Sequence, residues 1–153
     1  PVMLVPPSNA VARHELIRYP GGREGSFSFP SGVTGIRATA FEGGTNITGV
    51  AMSEGVGTVD AWTFVNCRSL TNVLIAASVT NIVGNAFAGC VNMQAMYFKG
   101  DAPQVADSAF AGHINATIYY RPGTKGWGPE FGGRPTAVWE GGIMGSATGA
   151  KGE

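Results

Sequence analysis

Cys67, Cys90 and His113 stand at equal intervals of 23 residues, two thiols and an imidazole of the kind that close disulfides or hold zinc. Equally spaced ligands in a line do not converge tetrahedrally, so the pattern argues against a metal centre. If each interval is one full coil of chain, the two thiols stand about 5 Å apart on parallel side chains. A ladder of packed, buried thiols is the expectation, with a Cys67–Cys90 disulfide as the alternative, and His113 packs in the column or covers its end. The other polar candidates do not assemble. His14 and Glu15, adjacent in an extended segment, face opposite ways. Asp60, Asp101 and Asp107 are dispersed, no serine lies in a nucleophile elbow, and the glycines spell no phosphate loop. The reading is of a chain with no catalytic residues, metal or cofactor, and not of an enzyme.

The interval that spaces the cysteines runs through the whole chain. Phe41, Phe64, Phe87 and Phe110 recur every 23 residues and form a core ladder. Ile36, Val59, Ile82 and Val105 keep the same step, as do Val33, Val56 and Val79. So do Phe29, Met52, Ile75 and Phe98; Phe27, Val50, Val73 and Met96; and Ile47, Leu70 and Met93. A fixed period of this length marks a repeat solenoid, in which each coil buries its apolar face only against its neighbours. Within one coil, Val73 and Ile75 alternate as a short half-buried strand, and Val79 and Ile82 carry a second extended segment. Ala86 and Phe87 sit in a stretch of helical or 3₁₀ character that Gly89 ends. Gly43, Asn66, Gly89 and Gly112 share that corner, and Gly and Asn are the residues that enter the left-handed region cheaply.

The pattern L-x-x-V-x-I-x-x-x-V-x-x-I-x-x-x-A-F-x-G-C, from Leu70 to Cys90, resembles the BspA-like (Treponema-type) leucine-rich repeat of bacterial surface proteins. The resemblance covers roughly Ser26 to Trp139. It implies a leucine-rich repeat solenoid, mainly β with parallel strands and short helical or 3₁₀ turns, of about four coils. The fourth coil is irregular: Ala116 replaces the large residue of the Leu70 column, and Ala102 and Pro103 interrupt the second segment. The expected organisation is an N-terminal extension and cap (1–25), the solenoid (26–118), a C-terminal cap (119–139) and a flexible Gly-rich tail (140–153). Trp127, Phe131 and Trp139 are the natural covers for the end of the core. The resemblance also implies secretion or cell-surface display, and adhesion to protein or glycan.

Composition sets further limits. Ten basic residues balance ten acidic ones, and only 13% of the 153 residues are charged, which leaves no electrostatic footprint for nucleic acid. No apolar run is long enough to insert into a membrane as a helix. The chain starts at Pro1 and reads as a processed or excised product. Asn46-Ile47-Thr48 and Asn115-Ala116-Thr117 match the glycosylation sequon, but Asn46, Ser69, Asn92 and Asn115 form a column suited to bonding backbone along the stack.

With no site for chemistry, the surface carries the functional reading. Alternation on the first strand of each coil turns Ser28, Ala51, Leu74, Tyr97 and Tyr120 outward. A companion column holds Ser26, Gly49, Asn72, Ala95 and Ile118, and neither contains a charge. Leu74, Tyr97 and Tyr120 form the expected binding stripe, with Trp62 a second exposed anchor in a column otherwise Thr39, Asn85 and Ser108. Two readings of the tyrosines stay open: recognition, or cover by the terminal segment. Two functions follow. The first is a binding and adhesion module for a protein or glycan. The second is a structural subunit that self-assembles into a homo-oligomer, filament or layer through its ends and tails.

Overall fold

The computed structural model describes residues 3–5, 14–18, 24–112 and 114–140. The expected tail from residue 141 on, the side chains of the N-terminal extension and His113 lie outside the described residues. The chain folds as a solenoid whose coils have three sides. The first side is built from β3 (Gly25–Ser28), β5 (Ile47–Ala51), β7 (Asn72–Ile75), β9 (Ala95–Phe98) and β11 (Thr117–Tyr120), all parallel. The second side carries β4 (Val33–Ile36) and the two-residue strands β6 (Thr58–Val59), β8 (Asn81–Ile82) and β10 (Gln104–Val105). N-terminal to these, β1 (Met3–Val5) pairs antiparallel with β2 (His14–Arg18), and β2 runs parallel to β4.

Alternation decides what enters the core. Phe27, Val50, Val73, Met96 and Ile118 point inward from the first side, with Phe29, Met52, Ile75 and Phe98 two positions on. Val33, Val56 and Val79, with Ile36, Val59 and Ile82, close the core from the second side. The phenylalanine ladder runs down the middle: ring centroids are 4.7 Å apart for Phe41–Phe64, 5.0 Å for Phe64–Phe87 and 5.8 Å for Phe87–Phe110. These spacings follow the roughly 4.8 Å rise of stacked strands and widen toward the C-terminal end.

The third side is made of turns, and the expected short helical stretch does not form among the described residues. Bonds of the 3₁₀ type occur, such as Val65 N to Trp62 O and Ala88 N to Asn85 O. The expected corner column is left-handed, with φ of 70° at Gly43, 58° at Asn66, 79° at Gly89 and 99° at Gly112. A second left-handed column stands four residues earlier, at Thr39, Trp62 and Asn85. Two reversals of φ in each of the first three coils, and one in the fourth, interrupt any continuous 3₁₀ run.

At the C-terminal end, β13 (Arg134–Val138) extends the first side in parallel with β11, and β12 (Glu130–Phe131) adds to it antiparallel. Phe131 packs on Phe98 at 5.2 Å and on Trp127 at 5.0 Å, so these two side chains cover the last coil. The hairpin between β12 and β13 needs Gly132. Its φ is 59°, and a Cβ there would lie 2.5 Å from the Phe110 ring. Trp139 departs from expectation. It does not cover the end of the core but lies on the outer face of the long sheet.

Candidate functional site

The outer face of the first side is set by strand register. Ser28 is paired with Ala51, Ala51 with Leu74, and Leu74 with Tyr97, as a 23-residue step requires. Between β9 and β11 the step changes. Tyr97 pairs with Tyr119 and Phe98 with Tyr120. Ala116 keeps its place below Met93, yet Ile118 joins the Met96 column, so Thr117 alone spans what Gln94 and Ala95 span one coil earlier. Because side chains alternate, a one-residue slip exchanges inside and outside.

Two expectations are corrected by this slip. Tyr120 does not extend the outer stripe; it turns toward the core and stacks on Trp127 with centroids 5.1 Å apart and planes 7° apart. Ile118, expected outward, is fully buried in the Met96 column. Tyr97 does face outward, but it is only 2% exposed. Tyr119 stacks on it at 5.1 Å, and Trp139 closes over it at 5.2 Å. Leu74 and Ala95 pack at the margin of this second, smaller apolar cluster. The Arg121 guanidinium sits 4.7 Å above the Trp139 ring. Trp139 Nε1 is buried and has no hydrogen-bond partner.

Among the described residues nothing covers the remaining outer face. Ser26, Ser28 and Thr48 are exposed, Ala51, Asn72 and Leu74 are half-buried, and none is charged. Trp62 is 44% exposed but belongs to the turn after β6, away from this sheet. The four expected contacts therefore divide: Leu74 and Tyr97 are neighbours, Tyr120 lies with the core, and Trp62 stands apart. Trp62 also has φ 61°. A bulky residue held left-handed costs about 1–2 kcal/mol, whereas Asn85 fills the equivalent position cheaply.

Cys67 and Cys90 are free thiols, fully buried. Each donates along the stack, Cys67 Sγ to Phe41 O at 3.1 Å and Cys90 Sγ to Phe64 O at 3.0 Å. The adjacent Cys67 thiol and then burial hold Cys90 well above the usual thiol range, so it stays protonated and unreactive at neutral pH. Ser69 and Asn92, from the expected polar column, bond the backbone oxygens of Thr45 and Arg68. At another corner the Glu54 carboxylate accepts the amides of Ala77 and Ser78 and pairs with Lys99 at 3.5 Å. These polar side chains join coils.

Residues 24–124 match the family described as "BspA type Leucine rich repeat region (6 copies)". The chain belongs to that family. Among solved structures, this BspA-type protein is similar to a leucine rich cell surface protein from Faecalibacterium prausnitzii A2-165. The two are 25% identical with a TM-score of 0.50, over 78% of this chain and 38% of that one. The chain thus spans well under half the length of that relative. Comparison with curated proteins gives no match. Leucine-rich repeat solenoids are typically binding scaffolds, and among the described residues of this BspA-type chain no helix is long and apolar enough to cross a membrane.

Sequence reasoning missed Tyr119 and the destination of Trp139. A signal for the slip existed: continuing the Phe98 column by 22 residues reaches Tyr120, an aromatic, whereas 23 residues reach Arg121.

Proposed function

We propose that this chain is a non-enzymatic binding module, displayed at a cell surface or secreted, that engages a protein partner through the outer face of its long sheet. The binding area is the stretch from β3 to β7, edged by Leu74. One observation carries this reading: that stretch is uncharged and not covered by any described residue, while the same face beyond it is closed by Tyr119 and Trp139. A continuous surface without charge, rimmed by hydroxyl and amide groups, suits a protein interface better than it suits solvent alone. The cell-surface description of the similar Faecalibacterium protein supports the location.

Self-assembly through the solenoid ends has less support. The C-terminal end finishes in the two-residue, antiparallel β12, preceded by Pro129, which has no amide to donate to a further strand. The test is capture of purified extracellular matrix proteins by the immobilised chain, compared with Ala51→Arg and Leu74→Asp. Loss of capture in both variants, with unchanged circular dichroism, is the expected outcome. Undiminished capture by both removes the sheet face from consideration, and concentration-dependent growth on sizing columns favours assembly instead.

A further inference from the structure

Spacing alone makes Asn46, Ser69, Asn92 and Asn115 one polar ladder, and the structure divides it. Ser69 Oγ donates to Thr45 O and Asn92 Nδ2 donates to Arg68 O, so the two middle members join coils. The two outer members do not. Asn46 and Asn115 are exposed, and their side-chain amides make no hydrogen bond among the described residues. These same two open the triplets Asn46-Ile47-Thr48 and Asn115-Ala116-Thr117. No other asparagine of the chain has a hydroxyl residue two positions on. An Asn-x-Thr triplet accepts N-linked carbohydrate when it lies on a surface displayed outside the cytoplasm.

Asn46 presents the triplet better than Asn115 does. It is the turn residue before β5, and its backbone oxygen accepts the Gly25 amide. Ile47 opens β5 and is fully buried, while Asn46 and Thr48 on either side of it are exposed. Alternation thus turns the carboxamide and the hydroxyl to solvent together. The residues just before, Gly43-Gly44-Thr45, bring neither charge nor bulk to the approach. At Asn115 the triplet is more enclosed. Ala116 is fully buried, and Thr117 is half-buried with its amide bonded to Gln94 O. A glycan on Asn46 would stand at the amino end of β5, roughly 16 Å along the strand from Ala51, and so beside the area edged by Leu74.

We propose that Asn46 is an N-glycosylation site, the acceptor of an oligosaccharide carried on a lipid pyrophosphate. Asn46 Nδ2 bonds to C1 of the first sugar as the bond from C1 to the pyrophosphate oxygen breaks. Nδ2 gives up one proton, and the lipid pyrophosphate leaves with the electron pair. The modification requires that the chain leave the cytoplasm, the one point it shares with the function proposed above.

The test is glycopeptide mass spectrometry on the full-length chain recovered from the cells that produce it, with fragmentation that keeps the sugar on its residue. The expected result is a carbohydrate mass on Asn46, lost in Asn46→Gln while circular dichroism stays that of wild type. A second arm uses recombinant chain without carbohydrate. There Asn46→Gln leaves the melting midpoint unchanged, because this amide joins no coils, whereas Asn92→Ala lowers it by about 2–4 °C through loss of the bond to Arg68 O. An exported chain with Asn46 bare, or with carbohydrate on Asn115 alone, overturns the site and leaves the sheet-face function standing. A loss of stability in Asn46→Gln equal to that of Asn92→Ala also overturns it, since Asn46 would then serve the stack. A chain retained in the cytoplasm overturns the site and the proposed location together.

Discussion

The Trp139 ring lies 5.2 Å from the Tyr97 ring, tilted by 60°, on the outer face of the long sheet. A side chain expected to seal the end of the core instead seals the surface expected to bind a partner. With Tyr119 also stacked on it, Tyr97 becomes part of a second core.

Removing this lid should therefore unfold the protein more readily. Trp139→Ala is expected to cost about 3–5 kcal/mol in denaturant melts, as for other buried aromatic truncations. Trp139→Phe should change stability by less than about 1 kcal/mol, because it also deletes an indole donor that has no partner. Equal losses in the two variants would mean that the indole nitrogen contributes after all.

The tyrosines separate by environment. Tyr97→Ser should destabilise by about 3 kcal/mol or more, since it opens the smaller core around a side chain 2% exposed. A chemically unfolded baseline measured by fluorescence gives the comparison. A Tyr97→Ser protein as stable as wild type would restore the exposed stripe.

The repeat itself was legible from spacing, because six columns of apolar residues at one period leave little freedom in how coils stack. The left-handed corner at Gly43, Asn66, Gly89 and Gly112 was legible for the same reason. The candidate surface was legible only as far as β9. Beyond it one residue is missing at Thr117, and a strand converts that single deletion into an exchange of faces. The left-handed state of Thr39 and Trp62 was hidden as well. Neither residue type favours it, and only Asn85 in that column hinted at it. That β4 pairs with β2 and not with β6 is likewise not encoded in the residue spacing.

Backbone strain at the second corner predicts gains. Thr39→Asn should stabilise by about 0.5–1 kcal/mol, since a β-branched residue with φ 64° gives way to one that tolerates the left-handed region. Asn85→Val at the equivalent place should cost a similar amount. Thermal melts at neutral pH check both, and a stabilised Asn85→Val would show that the corner is not left-handed.

The thiol ladder predicts a pH dependence. Cys90 has its pKa raised in the fold by Cys67 and by burial, so the unfolded chain gives up this proton first. Stability from this source is complete below the unfolded thiol value of about 8.5 and falls above it by about 1.4 kcal/mol per pH unit. Comparing melts of wild type and Cys90→Ala between pH 7 and 10 reads the net effect of the pair, since the contact with Cys90 holds the Cys67 thiol below its ordinary value. A wild-type curve that runs parallel to that of Cys90→Ala would exclude it.

The central claim is that recognition belongs to the open half of the sheet and not to the C-terminal aromatic residues. Hydroxyl-radical footprinting read by mass spectrometry tests it in one experiment on the native chain. Trp62, at 44% exposure, should be oxidised readily, while Trp139 at 3% and Tyr97 at 2% remain protected until the protein unfolds. Oxidation of Trp139 and Tyr97 at the rate of Trp62 would contradict the account.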